Sequence, residues 1–149
     1  MAINLRDITK DNWVDMIDLE ISKEQERFVA LPSEAIAASK FYDHYINRGI
    51  YSGDKPVGFI QYYPNLGDGK PNEIFIDQLL IDVSVQGQGY GTEAIKLALE
   101  EIKQLKGFNS VSICCVEGHD VMKAFFERFD FNVVEQDEYD KTIMELHFA

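Results

Sequence analysis

The sequence predicts a single α/β domain over residues 1–149, a mixed and mostly antiparallel sheet flanked by helices. Three observations carry that prediction. Phe75-Ile76-Asp77-Gln78-Leu79-Leu80-Ile81-Asp82 is an apolar run with the pattern of a strand covered on both faces. Directly after it, Gly87, Gly89 and Gly91 alternate with Gln88 and Tyr90. From Thr92 onward Ile95, Ala98, Leu99, Ile102 and Leu105 recur at helical spacing, with Glu93, Lys96, Glu100, Glu101 and Lys103 elsewhere on the helix. Strand, glycine loop and helix, followed by a second apolar strand at residues 110–116, make a crossover unit with two parallel strands.

The other elements follow from their own patterns. Residues 3–8 alternate as a first strand. Thr9 or Asp11 can cap a helix bearing Trp13, Met16 and Ile17 on one face. A second amphipathic piece covers residues 25–30, and Pro32-Ser33 restarts a helix through Ile36, Ala37, Lys40 and Phe41, with Gly49 ending that region. Residues 50–52 and 57–63 flank the turn Gly53-Asp54-Lys55-Pro56 and predict a hairpin. Residues 64–72, with Gly67, Asp68, Gly69 and Pro71, read as a polar loop. The central helix should end near Gly107. A later helix over residues 119–129 should turn Val121, Met122, Phe125 and Phe129 inward, before strands at 131–134 and 142–148 complete the sheet.

Length and composition narrow the function classes. A chain of 149 residues can bury a real core, and 46% apolar content is ordinary for a globular protein. No apolar run approaches the roughly 20 residues needed to span a bilayer. Met1-Ala2-Ile3-Asn4-Leu5 lacks the layout of a secretory signal, so the expected location is the cytoplasm. Cys114 and Cys115 are adjacent, which suits neither a disulfide nor a metal site, and no metal is expected. They should lie on a strand and point to opposite faces. With 26 acidic against 14 basic residues the net charge is −12. That balance disfavours nucleic-acid binding, which depends on Lys and Arg at phosphates, and steers cationic partners instead.

The glycine loop is the candidate binding element. Glycines permit positive φ and remove the Cβ atoms that keep a ligand off the backbone. The first amides of a helix lack intrahelical partners and carry the positive end of its dipole. Together these favour a phosphate-bearing ligand at residues 86–92, although a glycine-rich turn can also be only a tight turn. No Gly-Lys-Ser/Thr follows, against a nucleotide-hydrolase loop, and the dinucleotide fingerprint fits poorly.

Gln86-Gly87-Gln88-Gly89-Tyr90-Gly91 matches Gln/Arg-x-x-Gly-x-Gly, and with its preceding strand it resembles the acetyl-CoA loop of the GNAT superfamily of N-acetyltransferases. The order of elements resembles the GNAT fold over most of the chain. The resemblance implies a central parallel pair that splays apart to admit acetyl-CoA. It also implies that the backbone of Leu79, Leu80 and Ile81 holds pantetheine like an added strand, and that Gln86, Gly87, Gln88, Gly89, Tyr90, Gly91 and Thr92 hold the pyrophosphate. The pattern Gln25-x-x-Phe28-Val29, Pro32-Ser33, Ala37 and Phe41 resembles the bacterial spermine/spermidine (polyamine) acetyltransferase branch, as do Gly58-Phe59 and Ile76-Asp77-x-x-x-Ile81-Asp82. A homodimer is a family-level expectation.

Amine acetylation needs a neutral amine, whereas an alkylamine with a pKa of roughly 10 is mostly protonated at pH 7. Asp77 is the first candidate base and Glu73 the second; each is equally readable as an ordinary solvated or capping carboxylate. Glu24, Glu26 and Asp43 could bind a cationic chain or be plain surface. In the superfamily the helix after the fifth strand usually reads Asn-x-x-Ala-x-x-Leu-Tyr-x-x-x-Gly-Phe, and its tyrosine assists the leaving thiolate. Here His119 stands for the asparagine, Phe126 for the tyrosine and Asp130 for the glycine. His119 and Phe126 are thus carried over as residues beside the cosubstrate, with Tyr139 a possible substitute donor and Arg128 a possible phosphate partner. The expected activity is acetyl transfer from acetyl-CoA to a small cationic amine such as spermidine or spermine. Its alternatives are acetylation of a protein or peptide amine, or a CoA-binding module with little turnover.

Overall fold

The computed structural model describes residues 2–22, 31–115, 120–136 and 141–148. Along these the elements are β1 (Ile3–Asp7), α1 (Trp13–Ile17), α2 (Pro32–Ser39), β2 (Ile46–Ser52), β3 (Lys55–Asn65), β4 (Lys70–Ile81), α3 (Tyr90–Gln104), β5 (Ser110–Cys115), α4 (Asp120–Glu127), β6 (Asn132–Gln136) and β7 (Thr142–His147). The strands form one sheet in the order β1-β2-β3-β4-β5-β7-β6. All neighbours are antiparallel except β4 and β5, as the crossover through α3 requires.

Two apolar clusters cover the sheet. Ala94, Ile95, Ala98 and Ile102 of α3 and Phe126 of α4 pack with Ile74, Ile76, Val111, Ile113 and Met144. Met16 of α1 and Ala35 of α2 pack with Tyr51, Phe59 and Leu80. Each fully buried Ile, Val, Met or Phe among them contributes about 1.5–3 kcal/mol. Buried Gln61 ties α2 to β3, donating to the Ala35 carbonyl at 3.0 Å and to Asn47 Oδ1 at 2.9 Å.

Several boundaries differ from the sequence expectation. Gly49 does not end the N-terminal region but lies within β2, where an added Cβ would stand 2.8 Å from Tyr51 Cε1 and 3.1 Å from Met16 Cε. Lys55 and Pro56 belong to β3 rather than to a turn, and Pro64 and Asn65 belong to β3 rather than to a loop. Both prolines sit beside a shift in ladder register, between Ile50 and Tyr51 opposite Pro56 and between Pro64 and Asn65, which accommodates a residue with no amide to donate. Along α4 and the turn that follows it the inward stripe is Met122, Phe125, Phe126 and Phe129, while Val121 is 86% exposed. Val121 lies one residue off that stripe, about 100° around the helix. Cys114 and Cys115 lie on β5 as expected, half-buried and buried, and burial pushes the Cys115 thiol up to about 11. The piece at residues 25–30 lies outside the described residues.

Candidate active site

The parallel seam is short. Glu73, Ile74 and Phe75 pair with Ser110, Val111 and Ser112, and there the β4–β5 ladder stops. Beyond it, among the described residues, β4 continues to Ile81 paired only with β3, and β5 continues to Cys115 paired only with β7. The facing edges of residues 76–81 and 113–115 thus open away from each other. An opened strand edge carries backbone donors and acceptors that an extended ligand can match. Leu79 and Ile81 pack toward α3 and Leu80 toward α1, so these side chains are fixed by the core. The Ile81 carbonyl is taken by the Gln86 side-chain amide at 3.0 Å.

The glycine loop lies at the far end of this opening. Asp82 starts a single 3₁₀ turn (Val83–Val85), accepting from the Ser84 amide at 2.9 Å and the Ser84 hydroxyl at 2.6 Å. Its other oxygen accepts from the Glu20 amide at 2.9 Å. Burial alone would raise the Asp82 carboxyl, but the bonds from Ser84 and Glu20 outweigh it and hold the group below the usual carboxylate range. Gln86, Gly87, Gln88 and Gly89 are exposed. Gly89 caps α3 with φ +84°, a conformation that L residues avoid. The helix therefore begins at Tyr90, two residues earlier than expected. The amides of Tyr90, Gly91 and Thr92 precede its first i→i−4 bond, Glu93 to Gly89 at 3.2 Å, and so remain available to an anion. A Cβ on Gly91 would meet only ordinary contacts at 3.8 Å, so packing does not require glycine there. Strand edge, free amides and an uncrowded Gly91 fit an extended thioester carrier with a pyrophosphate.

Asp77 is the extra residue in the β3–β4 ladder, since Gln61 pairs with Gln78 and Tyr62 with Ile76. That bulge sits two residues past the last β5 pair and leaves Asp77 exposed. Tyr63 donates to Asp77 Oδ2 at 2.8 Å, and Gln78 to Oδ1 at 3.3 Å. Burial, and then the bond to Asp77, push the Tyr63 hydroxyl far above the ordinary tyrosine range, so it remains a donor. The Tyr63 ring stacks on Tyr45 at 3.9 Å, and Tyr45 stacks on Tyr42 at 5.0 Å. His44 and Phe75 meet the Tyr63 ring edge-on, each at 5.9 Å. These rings line a cleft of about 540 Å³ together with residues 64–68. Sequence reasoning missed this aromatic group. Its signal was Tyr42-x-His44-Tyr45, an aromatic cluster just ahead of a strand.

Glu73 is placed differently from Asp77. It is 4% exposed and accepts from Asn65 at 2.8 Å, Ser112 at 3.1 Å and Ser110 at 3.4 Å. Its hydrogen bond to Glu145, with burial opposing and with His147 and Lys70 assisting, holds the Glu145 carboxyl below its usual range. Glu73 thus belongs to a closed network, whereas Asp77 faces out.

Phe126 is 3% exposed and packs edge-on against Phe125 and Phe131, each at 5.2 Å. It supplies bulk and no proton. Asp130 adopts φ +69°, the left-handed conformation for which the related pattern uses glycine, and Phe131 donates to the Phe126 carbonyl at 3.3 Å to close the helix end. Arg128 lies over the Phe125 ring at 5.3 Å. His119, Tyr139, Glu24 and Glu26 lie outside the described residues. Among the described residues no cluster of His, Cys, Asp and Glu could hold a metal ion, and no helix is long and apolar enough to cross a membrane.

Comparison with known proteins agrees with this geometry. The spermine/spermidine N(1)-acetyltransferase of Bacillus subtilis (strain 168) is 25% identical over 134 residues, 88% of each chain. The crystal structure of PaiA N-acetyltransferase from Thermoplasma acidophilum in complex with coenzyme A superimposes with a TM-score of 0.73 at 17% identity, covering 99% of this chain and 100% of that one. The ribosomal-protein-S18-alanine N-acetyltransferase from Escherichia coli gives 0.76 at 17% identity, covering 99% and 95%. Residues 5–131 match the model of the acetyltransferase (GNAT) family. With a match over most of its length, the chain belongs to the acetyltransferase (GNAT) family and is an acetyl-CoA-dependent acetyltransferase.

Proposed function

We propose that this acetyltransferase acts on a primary amine of a small cationic molecule, a polyamine such as spermidine or spermine, with Asp77 as the group that takes the proton. Acetyl-CoA supplies the activated acetyl group. The observation that carries the reading is Asp77 itself: an exposed carboxylate on the β4 bulge, two residues past the point where β4 and β5 part. A carboxylate there can attract an ammonium group, accept its proton directly or through water, and leave the neutral nitrogen beside the opened strand edge. Tyr63, kept protonated, orients Asp77 by donating to one oxygen and leaves the other lightly held. Leu79 to Ile81 would hold the pantetheine arm by backbone, and residues 86–92 the pyrophosphate. The net charge of −12 favours a cationic acceptor. The Bacillus subtilis relative, named for spermine and spermidine, supports the same class.

One observation favours a second reading, a domain that binds acetyl-CoA with weak turnover: Phe126 carries no proton for the departing thiolate. A thiol pKa near 8.5 makes that a modest obstacle, because the thiolate can leave and be protonated by water. Free-thiol release from acetyl-CoA against a panel of polyamines, monoamines and peptides decides between them. Release with spermidine or spermine at rates well above the peptides supports the proposal; release with peptides alone overturns the substrate class, and none with any amine leaves the weak binder.

A further inference from the structure

We propose that the aromatic cleft beside Asp77 is the subsite for the aliphatic, second-ammonium portion of a di- or polyamine acceptor, which makes Tyr42, Tyr45 and Asp68 specificity-determining residues. This rests on the amine-acetyltransferase reading above. Tyr63 connects cleft and base physically: its ring forms part of the cleft wall, and its hydroxyl bonds Asp77 at 2.8 Å. An acceptor whose reacting nitrogen lies at Asp77 therefore extends along the Tyr63 ring into the cleft.

The lining specifies what that extension can be. Tyr42, Tyr45, Tyr63 and Phe75 offer apolar ring surface; among the described lining residues Asp68 is the sole carboxylate, His44 the sole basic side chain, and none is Lys or Arg. Beneath the lining, Asn65 and Ser112 donate to buried Glu73 at 2.8 Å and 3.1 Å. Lys70 meets Glu145 at 3.7 Å and does not line the cleft. Methylene segments gain from aromatic walls, and ammonium groups gain from electron-rich rings and a terminal carboxylate. Asp68 and the nearby Asp77 disfavour an anionic ligand. The volume of about 540 Å³ suits a small molecule.

Calorimetric titration with spermidine and with n-butylamine, in the presence of CoA, tests this. Wild-type protein should bind spermidine at least about tenfold more tightly than n-butylamine. Tyr45→Leu removes the middle ring that holds Tyr42 and Tyr63 as one wall, and should weaken spermidine ~3- to 30-fold, the range that cation contact with such rings supplies. Tyr45→Phe keeps the ring and should lose less than about threefold, and Asp68→Asn should weaken spermidine while leaving n-butylamine unchanged. Should Tyr45→Leu not fold, Tyr42→Leu at the half-exposed outer ring makes the same comparison. Equal affinity for the two amines, or wild-type spermidine affinity in the folded Leu variant, overturns the subsite. Acetyl transfer to other amines without spermidine binding removes the subsite and spares the catalytic reading. Spermidine binding without thiol release from any amine does the reverse.

Discussion

Tyr63 donates its hydroxyl to Asp77 at 2.8 Å where β4 carries one extra residue opposite the Gln61–Tyr62 step of β3. Without the bulge, alternation along β4 would set Asp77 on the same face as Phe75 and Glu73 in an unbroken ladder. The extra residue breaks that ladder beside the end of the β4–β5 seam, where Asp77 is exposed and bonds the same Tyr63 side chain that Phe75 meets edge-on.

Asp77→Asn keeps size and removes the base. Turnover at pH 7 should fall about 10²–10⁴-fold, and the deficit should shrink as pH rises toward the amine pKa of roughly 10. Glu73→Ala should behave oppositely. Stranding the donors of Asn65, Ser110 and Ser112 should cost about 2 kcal/mol or more, read as a lower melting temperature, with most turnover kept in the folded fraction. Rate–pH profiles and thermal melts of the two variants separate the roles, and a wild-type rate for Asp77→Asn returns the proton transfer to bulk water.

Gly91→Val should weaken CoA binding by at least about tenfold while the protein stays folded. An added Cβ there meets only ordinary contacts at 3.8 Å or more, so in a variant with an unchanged melting temperature a loss of affinity reports a blocked ligand approach. Gly89→Val mixes that effect with strain at φ +84° and should also lower the melting temperature. Unchanged CoA affinity in folded Gly91→Val would sink the loop assignment.

Phe126→Tyr places a hydroxyl among Phe125, Phe131 and the core. Left unpaired it should cost about 1–3 kcal/mol of stability. Wild-type protein should already release thiol with an amine. If wild type is silent and the tyrosine variant turns over, Phe126 marks a degenerate binding module.

Asp130→Gly should stabilise the fold by about 0.5–1 kcal/mol, because the left-handed backbone at φ +69° costs glycine nothing, offset in part by its greater freedom in the unfolded chain. Denaturant titration should show a higher midpoint at unchanged slope.

Asp82 makes acid stability local. Its folded-state pKa lies below the unfolded value of about 3.9, so its contribution is complete above that pH and is lost as pH falls through the folded pKa. Asp82→Asn should therefore narrow the stability gap to wild type below about pH 4, which paired melts at pH 7 and pH 3 would show.

The element order was legible because each crossover piece has its own period, and the 3.6-residue stripe of α3 and the apolar run of β4 need no tertiary information. Register was not. The bulge at Asp77 and the prolines inside β3 depend on which residue faces which across two strands, and one strand's sequence does not contain that. Phase failed similarly at Val121, since a stripe read from an unknown helix start can be off by one residue. The Tyr42–Tyr45–Tyr63 stack joins a loop to a distant strand, so only the fold brings it together.

With three rungs of ladder between them among the described residues, the β1–β4 meander and the β5–β7–β6 block are two blades that also share the side chains under α3. A molecule that bridges their parted edges adds the missing rungs and joins them into one cooperative unit. Such a bridge stabilises by RT ln(1 + [L]/Kd), about 2.7 kcal/mol at a hundredfold excess over Kd. Occupancy thereby becomes stiffness, and amide protons along residues 76–81 should exchange more slowly the longer the cosubstrate stays.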